Sequence, residues 1–310
     1  MPIEPSEIDL AAAVIRAGGL VVFPTETVYG LGANALDPVA VAKIFAAKGR
    51  PSTNPLIVHV ANADQIMPLV EDWPIAAREL AEKFWPGPLT IVVRKSALVP
   101  DIVTGGGPTV ALRCPDHPVA LALLNAAGVP IAAPSANRSG ELSPTTAEHA
   151  RTSLARRYDL LLDDGPCPIG LESTVVEITA TGVRILRPGV IGAAELDNIA
   201  DTVEYGPASA SEAPSLSPGM LVRHYAPRTA LECASTGTDA DFLVNLYETA
   251  GLKVARYACG ASPAETATKL YADLHALDAG GFDRIIAILP PDTEEWRAVR
   301  DRLVRAGAEE

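Results

Sequence analysis

The chain has 310 residues, of which 48% are hydrophobic and 20% are charged, and its formal net charge is -13. This composition excludes a disordered or fibrous protein, and no apolar run reaches the roughly 18 residues that a membrane helix needs. The charge is uneven, because residues 1–190 carry 15 Lys and Arg against 19 Asp and Glu, whereas residues 191–310 carry 10 against 19. An acidic second half repels a phosphate backbone, so this is not the composition of a nucleic-acid-binding protein.

Targeting and cysteine signals point to the cytoplasm. The start of the chain lacks the basic residues of a signal peptide and no membrane segment follows, so we expect a cytoplasmic protein with no membrane partner. Four cysteines lie far apart without a C-x-x-C pair, which argues against a disulfide framework and against a thiolate zinc site.

Helices and strands alternate along the first part of the chain. We predict helices over 8–19, 38–48, 74–84 and 118–127, and strands over 20–23, 56–60, 89–94, 109–113, 129–133, 160–162 and 174–178. Such alternation is typical of an α/β sheet covered by helices.

A stretch rich in Pro, Ser, Ala and Gly at 206–219 interrupts this pattern and predicts a linker. Beyond it, helical patterns cover 240–250, 263–277 and 293–306, and a strand pattern covers 284–289. These elements predict a small second α/β domain.

The common nucleotide, serine-nucleophile and zinc motifs are missing from the sequence, and polar groups at predicted strand ends remain. The first group is the turn at 24–32, whose hydroxyl and N–H groups suit a small zwitterion. Thr25 or Thr27 could equally cap the backbone there. Open α/β sheets place ligands at such strand ends, so this edge is the candidate site.

The second group is Lys48-Gly49-Arg50, at the end of a predicted helix. These cations suit a polyphosphate, one as a compact charge and one as a bidentate fork. They would serve equally as partners of the helix dipole.

The third group is the loop 134–140, which follows a predicted strand. It could close around phosphate or ribose, or it could be an ordinary turn. Further polar side chains stand at strand ends, namely Arg113, Ser173 and Arg187.

Histidines and carboxylates leave several readings open. His59 ends a strand pattern, where a histidine is commonly a core or rim residue. Glu26 and Glu172 could act as acid or base, or could cap and solvate. We expect His117 and His149 to be structural. His275 lies on a predicted helix of the second domain, where we expect it to have no partners.

Together the motifs resemble a known family. The runs are PTETVYGLGANAL, KGRPSTNPL, FWPGPLTIVV, RCPDHP, APSANRSGELSPT, ESTVVE and LRPGVI. In this order they closely resemble the YrdC-type catalytic domain of L-threonylcarbamoyladenylate synthases, and SPGMLVRHYAP at 217–227 resembles the linker of the long, two-domain form. The resemblance covers about residues 8–228.

The resemblance implies a fold and a division into domains. We expect a YrdC-like twisted mixed sheet flanked by helices over 1–200, a linker over 201–228 that acts as an active-site lid, and a small α/β domain over 229–310.

It also implies the activity, namely that ATP, L-threonine and bicarbonate or CO2 give threonylcarbamoyl-AMP and pyrophosphate. A partner transferase then modifies a tRNA adenosine. The ATP-binding positions would be Lys48, Arg50, Asn54, Thr109, Ser135, Asn137, Ser143, Arg187, His224 and Tyr225. The threonine-binding positions would be Thr27, His59, Arg113, Ala133 and Ser173.

The chemistry assigns roles to these positions. Lys48, Arg50 and Arg187 would be catalytic, because the transition state carries negative charge on phosphate oxygens. Arg113 suits a bidentate grip on the threonine carboxylate. We expect Mg²⁺ with ATP, held mostly by phosphate and water, because the motifs contain few carboxylates.

Two rival functions remain at this stage. The first is a noncatalytic RNA-binding module, and direct tRNA binding would also fit a basic concave face; the net charge and the scarcity of aromatic residues count against both. The second is a carbamoyltransferase of the hydrogenase-maturation kind, which would bring zinc-binding cysteine clusters and an acylphosphatase-like segment. Neither is visible in the sequence.

Overall fold

The computed structural model describes residues 3–197, 199, 202–206 and 223–308. Within these ranges the chain forms a large sheet flanked by helices and a second, smaller sheet. The predicted α/β class is confirmed, with a mixed sheet in the first domain.

The large sheet has ten strands in the order β10-β9-β8-β4-β5-β3-β6-β2-β1-β7. It is mixed, since β4 pairs parallel with β8 and antiparallel with β5. The strands are β1 (Val21–Phe23), β2 (Gly30–Asn34), β3 (Ile57–His59), β4 (Leu89–Arg94), β5 (Thr109–Arg113), β6 (Ile131–Ala132), β7 (Leu160–Leu161), β8 (Thr174–Thr179), β9 (Gly182–Arg187) and β10 (Val203–Tyr205).

Helices cover both faces of this sheet. Alternation along β1 shows it, because Val22 belongs to one buried cluster while Val21 and Phe23 belong to another, as period-two side chains must. The helices are α1 (Pro5–Arg16), α2 (Pro38–Lys48), α3 (Ile75–Phe84), α4 (Asp101–Thr104), α5 (Pro118–Ala127), α6 (Ala147–Leu154) and α7 (Ala193–Leu196).

The second domain is a parallel three-stranded sheet in the order β11-β13-β12. Its helices α8 and α9 begin at side-chain caps, with Thr236 and Ser262 each accepting a backbone N–H. The elements are β11 (Ala230–Ala234), α8 (Gly237–Thr249), β12 (Val254–Tyr257), α9 (Pro263–Ala279), β13 (Arg284–Ile288), a 3₁₀ turn (Glu294–Trp296) and α10 (Arg297–Ala306).

The two domains share a buried cluster. Val28, Leu142 and Leu171 of the first domain belong to the same hydrophobic cluster as Leu270 and Leu274 of α9. Because they share this core, the two domains pack directly against each other. Most of the predicted linker, over 207–222, lies outside the described residues, and the large sheet continues to Tyr205.

Several elements differ from the sequence predictions. The predicted helix over 8–19 begins earlier, at Pro5, and the segment read as one polar turn over 24–32 ends in the buried strand β2. Its glycines Gly30 and Gly32 hide the strand in the sequence, since glycine is depleted in strands. Other elements absent from the sequence prediction are α4, α6, α7, β9, β10, β11 and β12.

Candidate active site

A cavity opens where the turn after β1, the ends of β3, β5 and β6, and the loop before β8 converge. Its space amounts to about 520 Å³, part of it open to solvent. Nine of the residues predicted to bind ATP or threonine line it: Arg50, His59, Arg113, Ala133, Ser135, Ser173, Arg187, His224 and Tyr225.

Lys48 approaches this cavity from the last turn of α2. Gly49 ends the helix in the left-handed conformation, with φ at 62°, which directs the chain onward to Arg50. The ammonium of Lys48 donates to the carbonyl of Ser135 at 2.5 Å and to that of Asn137. Burial and the charge of Arg50 hold the pKa of Lys48 well below its usual range.

The Arg50 guanidinium is fixed by its own loop. It donates to the side-chain oxygen of Asn54 at 2.6 Å and to the carbonyl of Pro55 at 2.8 Å. Burial lowers the pKa of Arg50 to about 10, so it stays charged at neutral pH. Asn54 thus contacts the cavity through Arg50, and its amide nitrogen has no partner among the described residues.

Arg187, the last residue of β9, is held on the opposite side. Its guanidinium donates to the carbonyl of Ser173 at 2.9 and 3.1 Å and to the Ser173 hydroxyl at 3.1 Å. The same hydroxyl lies 2.7 Å from that of Thr90. Ser173 therefore orients a cation as well as facing the cavity.

These three cations share a feature that the sequence does not reveal. Within the described part of the chain, the hydrogen-bond acceptors of Lys48, Arg50 and Arg187 are all neutral oxygens, and none of the three forms an ion pair. Their charges lie close together, since all three lower the pKa of His224. The site therefore holds excess positive charge, as expected of a polyanion site.

Arg113, at the end of β5, is already paired. It donates to Glu26 at 2.6 Å and to the hydroxyl of Thr27 at 2.9 Å through Nη2, and to the carbonyl of Gly87 at 3.4 Å through Nε. Two of the three nitrogens of this guanidinium, Nε and Nη2, are therefore engaged within the protein, and Glu26 lies beside it. The second oxygen of Glu26 has no partner among the described residues.

His59 is buried at the end of β3. Its ring meets Phe23 edge-on with centroids 6.1 Å apart, and Nδ1 lacks a hydrogen-bond partner among the described residues. Burial and the charge of Arg113 lower the pKa of His59 to about 3, so the ring is neutral at pH 7. A neutral, unsatisfied imidazole can accept or donate one hydrogen bond to a ligand.

The loop after β6 contributes mainly backbone groups. The side-chain amide of Asn137 donates to the carbonyls of Arg138 at 2.9 Å and Glu141 at 2.8 Å, so it braces the loop that holds Lys48. Ala133 follows β6 directly, and its N–H donates a hydrogen bond to the carbonyl of Ile57 at 2.9 Å. The cavity meets Ser135 directly.

Two predicted ATP contacts stand apart from the cavity wall. Thr109 begins β5, at the opposite end of the strand from Arg113, and does not line the cavity. Strand register brings it toward Pro55, because Ala111 pairs with Ile57. Ser143 is fully buried and donates to Glu172, so its hydroxyl is committed within the protein.

A short segment over 223–226, here called the strap, crosses the cavity. Its residues His224 and Tyr225 line the cavity and meet edge-on with ring centroids 4.0 Å apart. The N–H of His224 donates to the carbonyl of Arg305 at 3.2 Å, while that of Ala226 donates to the carbonyl of Gly140 at 2.9 Å. The strap is therefore tied to both domains.

The structure shows the environment of Glu172, for which the sequence left both acid–base and capping or solvated roles open. It accepts from Ser143, from Tyr271 at 3.0 and 3.1 Å, and from Arg302 at 2.8 Å. The cationic neighbours Arg302 and Arg187 outweigh burial and lower the pKa of Glu172 to about 2. It is thus an ionised structural anion rather than a proton donor, and no sequence signal pointed to its partners in the second domain.

The expectation that His275 has no partners was wrong. Its ring stacks on that of His149 with centroids 3.8 Å apart, and Nε2 lies 3.1 Å from the carbonyl of Ser143. This stack joins α9 to α6 across the domain boundary. A single sequence cannot reveal it, because the two residues are far apart in the chain.

The described residues form neither a metal-ligand cluster nor a membrane-spanning helix. No group of three or more His, Cys, Asp or Glu there could hold a metal ion, and no helix there is long and apolar enough to cross a membrane. All four cysteines are free thiols.

Comparison with known proteins identifies both halves of the chain. A family model described as Sua5, YciO and YrdC, telomere recombination, matches residues 13–189, and one described as the C-terminal domain of threonylcarbamoyl-AMP synthase matches 191–308. The threonylcarbamoyl-AMP synthase of Pyrococcus abyssi is 41% identical over 98% of this chain and 95% of its own length. That of Bacillus subtilis is 42% identical over 97% and 92%.

The fold agrees as closely. The crystal structure of Pyrococcus abyssi Sua5 complexed with L-threonine has a TM-score of 0.93 and 40% identity, covering 99% of this chain and 96% of that one. Similarity therefore extends through both domains.

Proposed function

The chain belongs to the threonylcarbamoyl-AMP synthase family, and from this premise we propose that it joins ATP, L-threonine and bicarbonate or CO2 into threonylcarbamoyl-AMP and pyrophosphate. The observation that carries the proposal is the set of buried cations with neutral partners, Lys48, Arg50 and Arg187. Buried charges are stable only when paired, and the triphosphate of ATP supplies the missing negative charge.

The reaction follows from simple chemistry. The threonine amine attacks CO2 to give a carbamate, a carbamate oxygen attacks the α-phosphorus, and the bond to the β-phosphate breaks to release pyrophosphate. Such a step is a nucleotidyl transfer. The three cations stabilise the phosphate oxygens, each contributing a factor of about 10² in rate.

Threonine would lie on the Arg113 side. Its carboxylate would take the Nη1 donor of Arg113, while Glu26 holds the rest of the guanidinium in place. The free oxygen of Glu26 and the neutral ring of His59 are the nearby groups that can hold or accept the amine protons.

ATP would enter with Mg²⁺ already on its phosphates. The described residues contain no carboxylate cluster for the ion, which fits a metal held by phosphate and water. Lys48 and Arg50 would then share charge neutralisation with it.

The product implies a partner and a location. A carbamoyl adenylate is a reactive acyl donor, so a transferase must consume it. The resemblance to the synthase family implies that the acceptor is a tRNA adenosine. We therefore expect the chain to act in the cytoplasm. The match over both domains favours this synthase over the carbamoyltransferase alternative.

Mass spectrometry of the reaction products tests the proposal. Incubation with ATP, L-threonine, bicarbonate and magnesium should give threonylcarbamoyl-AMP and one pyrophosphate per adduct, and omission of threonine should abolish both. Tight, salt-sensitive RNA binding without any adduct would favour the RNA-binding alternative instead.

A further inference from the structure

A buried ion pair joins the two domains directly behind the cavity. Glu172 and Arg302 are 5% and 1% exposed, and their side chains meet at 2.8 Å. Tyr271 of α9 adds its hydroxyl to the same carboxylate. One carboxylate of the first domain is thus held by two side chains of the second.

The Arg302 guanidinium reaches more than Glu172. Its Nη2 donates to the carbonyl of Pro188 at 3.0 Å, the residue that follows Arg187. Its Nη1 pairs with Asp301 at 2.6 Å. One side chain therefore contacts both the loop that precedes β8 and the loop that follows β9. The first loop carries the cavity residues Glu172 and Ser173, and the second begins directly after the cavity residue Arg187.

The same guanidinium lies against the strap. Its central carbon is 4.9 Å from the ring centroid of Tyr225, within the range of a cation–π contact. Tyr225 has a φ of 59°, which is rare for a bulky residue and persists only where the surroundings enforce it. Arg302 is one of those surroundings, and Tyr271 lies 6.0 Å away.

Stability alone does not account for such a pair. Taking two charges out of water costs several kcal/mol each, and a well-packed apolar replacement is often as stable. What an apolar residue cannot do is bridge a carboxylate, a carbonyl and an aromatic ring with fixed geometry.

We propose that Arg302 is a positioning residue of the synthase reaction, acting through Glu172, Pro188 and Tyr225 to hold the strap and the Arg187 loop in place around the reacting atoms. The proposal rests on the proposed function and gives the second domain a part in the chemistry. A strap out of place admits water, which hydrolyses the adenylate to AMP and the carbamate of threonine after pyrophosphate has formed. The signature of its loss is therefore pyrophosphate released without adduct.

The test compares full-length Arg302→Lys and Arg302→Met with wild type, and Arg256→Met serves as the control. Arg256 lies in the same domain and pairs with Asp241 at the surface. The measurements are threonylcarbamoyl-AMP per pyrophosphate, kcat and KM for ATP, and the unfolding midpoint.

In Arg302→Met the adduct-to-pyrophosphate ratio should fall about 10-fold or more. Arg302→Lys keeps a charge for Glu172 but lacks the fork, so it should unfold near wild type and still lose part of the ratio. The control should match wild type. If Arg302→Met does not fold, Glu172→Gln with Arg302→Met removes both charges and is assessed by the same ratio.

Unchanged ratios in the folded Arg302 variants would overturn the proposal while leaving the synthase assignment in place. A wild-type chain that makes no adduct would overturn both. A fall in kcat that follows the folded fraction, with the ratio intact, would reduce Arg302 to a purely structural residue and also overturn the proposal.

Discussion

At the scale of single residues, the decisive feature is a set of three buried cations that form no ion pair within the described part of the chain. Lys48, Arg50 and Arg187 spend their donors on carbonyl and hydroxyl oxygens. Carbonyl dipoles compensate for only part of the hydration that these charges lose on burial, so a net desolvation cost remains. A bound polyanion offsets that cost, and this preorganised field is also what lowers the barrier.

We expect Lys48→Met and Arg50→Met each to lower pyrophosphate release about 10²-fold, because each removes charge that stabilises the transferring phosphate. The unfolding midpoint should change little, since recovered desolvation offsets lost hydrogen bonds. Initial rates under saturating ATP measure the effect. Lys43→Met is the control, because Lys43 lies on the same helix but donates to Gly18 instead; wild-type rates in the site variants would contradict the assigned role.

At the scale of elements, the contact between α9 and the loop before β8 leaves no room for a side chain. Gly170 has a φ of 78°, and a Cβ there would lie 2.5 Å from the carbonyl oxygen of Thr268. The loop leads into Glu172 and Ser173, so the position of α9 sets the position of two cavity residues.

Gly170→Ala should therefore destabilise the chain by about 1–3 kcal/mol, through backbone strain and displacement of α9. It should also reduce adduct formation. Denaturant unfolding and product assays measure both effects. Gly128→Ala isolates the strain component, because Gly128 has a similar φ of 66° with no atom within 4 Å of the added carbon; equal losses in the two variants would show that the clash has no effect.

At the scale of the whole molecule, every histidine is shifted toward the neutral form. Burial lowers the pKa of all five, to about 3 for His59 and His224 and about 4 for His149. The unfolded chain takes up these protons below about pH 6.5, whereas in the folded chain His59, His149 and His224 stay neutral until pH 4 to 3.

Stability should therefore be full above pH 6.5 and fall as the pH drops toward 4, by about 1.4 kcal/mol per pH unit for each proton difference. Glu172, with a pKa lowered to about 2, adds a further loss below pH 4.5. Urea unfolding at pH 8, 7, 6 and 5 measures the slope. A midpoint that stays constant from pH 7 to pH 5 would contradict buried neutral histidines.

Removing residues 206–310 should sharply reduce activity and solubility. The truncated chain loses the strap, exposes the cluster around Leu142 and Leu171, and leaves Glu172 without Arg302 and Tyr271. Expression yield, thermal unfolding and adduct formation measure the outcome. Full turnover in a soluble truncated chain would show that the second domain and strap are dispensable.

The features that could be predicted from the sequence are those that depend on residues close together in the chain. Short polar motifs at element ends placed Lys48, Arg50 and Ser173 near one site, because helix and strand patterns fix where those ends fall. The sequence did not predict the glycine-rich strand β2. It also did not predict the contacts of Glu172 with Arg302 and of His149 with His275. Those contacts join residues more than a hundred positions apart, and only the folded chain brings them together.

The position of the strap also bears on how reactants enter the cavity and how the adenylate leaves it. His224 and Tyr225 form part of the cavity wall, and backbone hydrogen bonds anchor the strap to both domains. Under the proposed function, reactants and adenylate would therefore enter and leave the cavity past the strap. We therefore expect the strap to move aside in each catalytic round, and the time between openings to determine how much of the adenylate survives hydrolysis.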